Sequence, residues 1–153
     1  MKFFYFTVII VFAVLLFLTC WVAAGIDSVG IFIDPPSAML VILCSLVLLL
    51  ANYSLRDIRK HFAMGFKKEN FDSTDLKNGI VFFSALQKYL LLSGMMGTFI
   101  GMIAMLAMLD DTAKIGRALS LSLLTALYAI ILSMVVAVPF KAGLQKRLNE
   151  ITK

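Results

Sequence analysis

Apolar and polar positions follow one another in long blocks along this chain. Four apolar segments cover about residues 3–24, 35–53, 80–109 and 118–140, separated by polar stretches. Each is close to or longer than the ~20 residues that a helix needs to cross the hydrocarbon of a bilayer. The pattern predicts an all-α integral membrane protein of one domain with four transmembrane helices, a cytoplasmic loop at about 54–79 and a cytoplasmic tail at 141–153.

The first apolar segment admits a second interpretation, a cleaved signal peptide. Ala23-Ala24-Gly25 imitates a cleavage site, but the apolar run before it is too long and Lys2 is the only basic residue ahead of it. We therefore expect residues 3–24 to stay in the protein as the first membrane helix. A second helix is expected to begin at Pro35-Pro36, because prolines fit the first turn of a helix and Asp34 is a natural N-cap.

Basic residues predict the orientation, since loops rich in Lys and Arg stay in the cytoplasm. The loop at 25–37 has none, whereas the next loop has six and the tail has four: Arg56, Arg59, Lys60, Lys67, Lys68, Lys77, Lys141, Lys146, Arg147 and Lys153. Both termini are therefore expected in the cytoplasm. The net charge of +5 is explained by these loops and does not indicate nucleic-acid binding.

The loop at 54–79 contains a short amphipathic pattern. Ile58, Phe62 and Phe66 recur every four residues among basic positions, which predicts a helix that lies on the membrane surface or packs against the end of the later helices. Ser73 and Thr74 are expected to cap a helix that starts near Asp75 and runs into the third span. The lone histidine of the chain, His61, is expected to have no ligand role.

The last two apolar segments form a predicted helical hairpin with a stripe of small and hydroxyl-bearing residues on each helix. Small residues let two helices approach closely in lipid, where apolar burial contributes little. The stripes are expected to face each other or a common third helix. Their members are Gly94, Gly97, Thr98, Gly101 and Ala104 on the first helix, and Ser122, Thr125, Ala126, Ala129, Ser133 and Ala137 on the second.

The same hairpin resembles a known family. It carries Gly94-Met-Met-Gly-Thr98-Phe-Ile-Gly101, then Asp110-Asp111, then Leu123-Leu-Thr125-Ala-Leu-Tyr128-Ala and Val138-Pro139. In order and spacing these elements resemble the last two transmembrane helices of the MotA/TolQ/ExbB family of ion channels. The Pro-Ser pair that opens the second helix favours the MotA branch, and the chain resembles a short MotA-like stator subunit.

The resemblance implies a channel-forming scaffold that couples ion flow across the bacterial inner membrane to mechanical work. In this family about five copies surround two single-span partner helices of the MotB, TolR or ExbD type, and the partner carries the ion-binding aspartate. Thr98 and Thr125 match positions where the family has hydroxyls beside the ion path, and Pro139 matches a structural proline. The transported ion is H+ or Na+, and no cofactor or metal is implied.

Two features depart from the MotA pattern. The region between the second and third helices is much shorter here, so the charged surface that engages a flagellar rotor is almost wholly missing. Leu92-Ser93 stands where a second proline is usual near the start of the third helix. What the motor drives is therefore left open.

The residue pattern also weighs against other classes of protein. A small four-span transporter that couples its substrate to protons needs an acidic group in a span, and 3–24, 37–51, 89–109 and 118–140 contain no Asp or Glu. A structural membrane protein remains the other alternative. Cys20 and Cys44 lie in different spans without a CxxC pair, and no nucleophile with its base is present, so we expect neither a redox or metal site nor an enzyme.

Overall fold

A computed structural model describes residues 14–15, 18–19, 32–66, 71–107, 109 and 112–152, and every regular element in these ranges is a helix. The chain divides into two compact units, Met1–Pro35 and Pro36–Lys153. In the first unit the described residues are two short helical pieces and the approach to Pro35. The expected first span at 3–24 lies almost wholly outside the described residues.

The described helices are α1 (Pro35–Asn52), α2 (Leu55–Phe66), α3 (Ser73–Leu106), α4 (Thr112–Leu132) and α5 (Val138–Ile151). A π-helical turn, Ser133–Ala137, joins α4 to α5 without a break. Among the residues that the structure describes, three stretches are long and apolar enough to cross a membrane, namely Pro35–Asn52, Ser73–Leu106 and Lys114–Ile151. The predicted all-α membrane class is confirmed, and the stretch 141–151, predicted as a tail, continues the last helix.

The start of α3 differs from the prediction. The N-cap is Asp72, whose carboxylate accepts a hydrogen bond from the backbone N–H of Ser73 at 2.8 Å. The expected caps Ser73 and Thr74 lie inside the first turn, so that prediction was wrong. A carboxylate suits this place because it also interacts favourably with the positive end of the helix dipole.

The helix α3 is longer than a membrane span. Its 34 residues extend over ~51 Å, against ~30 Å for the hydrocarbon core. Its first half, which carries Asp75, Lys77 and Lys88, therefore reaches beyond the hydrocarbon region. The outward sides of the three spanning stretches are apolar, as lipid requires: Met39, Val47, Met95, Phe99, Leu123 and Met134 are all exposed.

The helix α2 packs against the first half of α3 and against α5, which agrees with one of its two expected positions. Phe62 makes edge-on ring contacts with Phe83 and Phe140, at centroid distances of 5.5 and 6.1 Å. The most buried positions of α2 are His61 and Met64, and Phe66 is 56% exposed. The buried sector therefore extends from the half-buried Ile58 and Phe62 round to His61 and Met64, because α2 contacts two helices at once, and Phe66 lies at its edge.

Candidate functional site

The candidate site is the seam where α3 and α4 run antiparallel through their small residues. A methyl group added to Gly94 would overlap the side chain of Ala129, and one added to Gly97 would overlap Thr125. At Gly101 an added Cβ would lie 2.5 Å from the Cβ of Ser122. The two stripes therefore lie against each other inside one subunit, and the three glycines permit a backbone approach that a side chain would prevent.

Thr98 lies on the partly exposed edge of this seam. Its Oγ1 donates to the carbonyl oxygen of Gly94 at 2.9 Å and is also 3.1 Å from the carbonyl oxygen of Ser122 on α4. One hydroxyl hydrogen serves these two carbonyls, so the oxygen keeps its lone pairs for a further donor. Thr98 Oγ1 can therefore accept a further hydrogen bond on its exposed side.

Thr125 lies within about one helical turn of the same depth, since it meets Gly97 while Thr98 meets Ser122. It is only 4% exposed, and its Oγ1 donates to the carbonyl oxygen of Leu121 at 2.8 Å. The same oxygen is 3.4 Å from the Oγ of Ser37 on α1. Thr125 is thus enclosed by α1, α3 and α4, unlike Thr98.

Apart from Ala104 on α3, the remaining predicted seam residues belong to α4 and its π-helical turn. Ser122 is 1% exposed and donates to the carbonyl oxygen of Leu119 at 2.8 Å. Ala129 and Ser133 are also buried, whereas Ala126 is half-buried and lies close to Gly94. Hydroxyls in apolar surroundings need such partners, because an unpaired polar group there is costly.

A polar connection from α1 to the hairpin was missed by the sequence reasoning. Four residues at a spacing of four form the buried side of α1: Ser37, Val41, Ser45 and Leu49. Ser45 Oγ lies 3.3 Å from Ser93 Oγ on α3, and Ser93 donates to the carbonyl oxygen of Tyr89 at 2.7 Å. The regular spacing of the two serines on α1 was the signal that could have revealed this contact.

Pro139 lies in the first turn of α5, directly after the π-helical turn. A proline inside a regular α-helix would leave the carbonyl four residues earlier without its donor and would clash with it. Here the wider turn intervenes, and the N–H of Val138 bonds to the carbonyl oxygen of Ser133, five residues back. The helix therefore continues past the proline by way of this wider turn.

An aromatic cluster joins α2 to α3 and α5 at this end of the bundle. His61 stacks on Phe82 at a centroid distance of 4.7 Å, and Phe83 stacks on Phe140 at 5.2 Å. Burial, and to a lesser degree the nearby Tyr89, raises the pKa of Tyr53 above its ordinary value. Arg147 also connects α5 to α2, because its side chain donates to the carbonyl oxygen of Met64 at 3.0 Å.

The seam itself contains no charge. Between Tyr89 and Leu106 on α3, and between Ala118 and Phe140 on α4 and α5, no Asp, Glu, Lys, Arg or His occurs. In the part of the chain that the structure describes, no group of His, Cys, Asp and Glu side chains is arranged to hold a metal ion. The seam can offer hydroxyl and carbonyl oxygens to a passing ion or to an acid from another chain, and nothing that titrates near neutral pH.

Comparison with known proteins agrees with this geometry. A stretch of 59 residues is 44% identical to the chemotaxis protein PomA of Vibrio alginolyticus, covering 39% of this chain and 23% of that protein. The match thus spans about a quarter of that relative's length. The model of the MotA/TolQ/ExbB proton channel family matches residues 53–153, which is more than half of the chain and includes the whole seam. The chain belongs to the MotA/TolQ/ExbB proton channel family.

Proposed function

We propose that this protein is the channel-forming scaffold subunit of an ion-driven motor complex in the bacterial inner membrane. Several copies, in the proposed assembly five, surround two copies of a single-span MotB-, TolR- or ExbD-like protein. Ion flow, of protons or of Na+, is coupled to mechanical work through that partner. Both termini of the scaffold lie in the cytoplasm.

The observation that carries the proposal is an uncharged seam that is rich in hydroxyls. A carrier that works alone needs a titratable group within the membrane, and the apolar parts of the described spans contain no acid or base. A scaffold whose partner carries the titratable group needs only hydrogen-bond donors and acceptors that can contact that group. The family match supports this division of labour.

In this proposal α3 and α4 form the inner ring, and Thr98 and Thr125 line the ion path. The partner's carboxylate has to titrate in a medium of low dielectric, where its charged form is strongly disfavoured without hydrogen-bond donors. A threonine hydroxyl donates to the carboxylate and accepts from its protonated form, which lowers the barrier for the ion between the two states. The partial exposure of Thr98 fits direct contact, while the burial of Thr125 fits a role that also involves Ser37.

The test is reconstitution with and without a partner. The chain is purified alone and together with the single-span protein of the neighbouring reading frame, provided that this protein has an aspartate near the start of its span. We expect proton or Na+ flux into liposomes only for the complex, and loss of flux when that aspartate is changed to asparagine. Native mass measurement then counts the copies of each chain.

Two outcomes would contradict the proposal. Flux by the chain alone, equal to that of the complex, would show a self-sufficient carrier. A stable complex with no flux under any ion gradient would assign the chain to a structural role.

A further inference from the structure

The helix α2 lies at one end of the membrane-crossing bundle. It begins at Leu55, three residues after α1 ends at Asn52, so its first residue is within about 11 Å of the end of a span. The ring contacts of its second half all fall at one level of the bundle. His61 stacks on Phe82 at 4.7 Å, and Phe66 lies 4.9 Å from Phe140.

Phe82 and Phe140 are themselves at one level, because Phe83, the neighbour of Phe82, stacks on Phe140 with its ring plane 11° from parallel. The rings of His61, Phe62 and Phe66 all meet α3 and α5 at this level, so α2 crosses the bundle instead of running along it. With its start tied to the end of α1, α2 therefore lies across the membrane boundary region.

The side of α2 that faces away from the bundle combines apolar and basic residues. Leu55 and Phe66 are 66% and 56% exposed, although both are large apolar side chains. Arg59 lies between them on the same side of the helix, at spacings of four and seven residues, and Arg56 flanks this line. The exposed Asp57 lies almost on the opposite side of the helix from Arg59, because each residue turns the helix by ~100°.

The two arginines differ from the other basic residues nearby. Lys60 pairs with Asp75 at 2.9 Å, and Arg147 donates to a backbone carbonyl oxygen. Arg56 and Arg59 are exposed, and neither has a hydrogen-bond or ion-pair partner within the described ranges 32–66, 71–107 and 112–152. Two free guanidinium groups next to exposed leucine and phenylalanine match a surface that is apolar on one side and anionic on the other.

We propose that this side of α2, formed by Leu55, Arg56, Arg59 and Phe66, binds the anionic phospholipid headgroups of the leaflet where α1 ends. Leu55 and Phe66 enter the boundary between headgroups and acyl chains, as apolar residues of interfacial helices do. Arg56 and Arg59 bind lipid phosphates, for which the planar guanidinium is suited, while their methylene stems cover apolar surface. Anionic lipid attracts such basic residues over about a Debye length.

The experiment uses the full chain with Cys20 and Cys44 replaced and one new cysteine at Ala63, a small exposed residue near the proposed surface. An environment-sensitive fluorophore on Ala63→Cys is compared in vesicles of phosphatidylcholine alone and with added phosphatidylglycerol. We expect blue-shifted emission and weaker quenching by a water-soluble quencher when phosphatidylglycerol is present. High salt should reverse part of the effect through screening.

The variant Arg56→Gln/Arg59→Gln should lose the response to phosphatidylglycerol, and Arg56→Lys/Arg59→Lys should keep most of it. Lys146→Gln removes an exposed charge on α5 instead and is the matched control, with no loss expected. Thermal unfolding in detergent shows whether each variant folds. Emission that is the same in both vesicles, or a response that persists in the glutamine variant, overturns the proposal. A probe that becomes shielded only when a second protein is added also overturns it and assigns the surface to that protein.

Discussion

Phe83 of α3 stacks face to face on Phe140 of α5, with ring centroids 5.2 Å apart and planes 11° from parallel. Phe83 is fully buried, and the pair lies directly below the π-helical turn and Pro139. The stack therefore fixes which side of α5 faces α3, directly after the π-helical turn. Above that turn, the contacts between small residues fix which side of α4 faces α3.

Replacing Phe83 by alanine should weaken the lower end of the bundle. A fully buried phenylalanine costs about 3–5 kcal/mol when it is cut back to alanine, because apolar contacts are lost and a cavity is left. We expect a clearly lower melting temperature in detergent for Phe83→Ala. Phe99→Ala, which changes a residue of α3 that is 56% exposed, should stay close to the unmodified protein. Equal melting of both variants would show that the stack does not hold the fold.

Gly101→Leu should separate α3 from α4. An added Cβ at Gly101 already lies 2.5 Å from that of Ser122, so the larger side chain forces the backbones apart. Overpacking of this kind costs about 1–3 kcal/mol or more, and the copies should no longer assemble. Gly116→Leu is the control, because an added Cβ there meets nothing within 4 Å. Melting temperature and native mass measurement report the outcome, and an intact oligomer for Gly101→Leu would refute the prediction.

Thr98→Val and Thr125→Val should lower ion flux while leaving assembly intact, since valine keeps the shape of threonine and lacks only the hydroxyl. Flux is measured in liposomes that contain the complex with its partner. Thr152→Val is the matched control, because Thr152 makes the same bond to the carbonyl oxygen four residues earlier, at 2.7 Å, at the end of α5.

The two threonine variants also separate contact from packing. Reduced flux in Thr98→Val alone would place Thr98 beside the ion and assign Thr125 to the contact with Ser37. Flux at the unmodified level in the double variant would mean that both hydroxyls serve only the bonds within their own helices.

The long helix Lys114–Ile151 should have its ends on opposite sides of the membrane. Its 38 residues extend over ~57 Å, well beyond the ~30 Å of hydrocarbon. With Cys20 and Cys44 replaced, Lys114→Cys should react with an impermeant thiol reagent in intact cells, and Lys146→Cys should react only after the cells are opened. Labelling of Lys146→Cys in intact cells would reverse the proposed orientation.

The sequence alone was enough for the membrane class, the start of α1 at Pro35 and the family. These depend on hydropathy, on spacing along one helix and on the backbone preferences of proline, all of which act over a few neighbouring residues. The small-residue stripes were visible for the same reason. Pro139 was noted in the sequence as a match to a family proline, but nothing in the local pattern indicated the π-helical turn before it.

Tertiary structure decided which of these local features meet. Ser45 and Ser93 are 48 positions apart, and Thr125 and Ser37 are 88 apart, so their contacts depend on the rotation of whole helices and not on local preference. The same holds for His61 and Met64, which are buried because α2 touches two helices at once. Hydropathy determines that a helix has an apolar side, whereas only close packing against particular neighbours selects the residues at its centre.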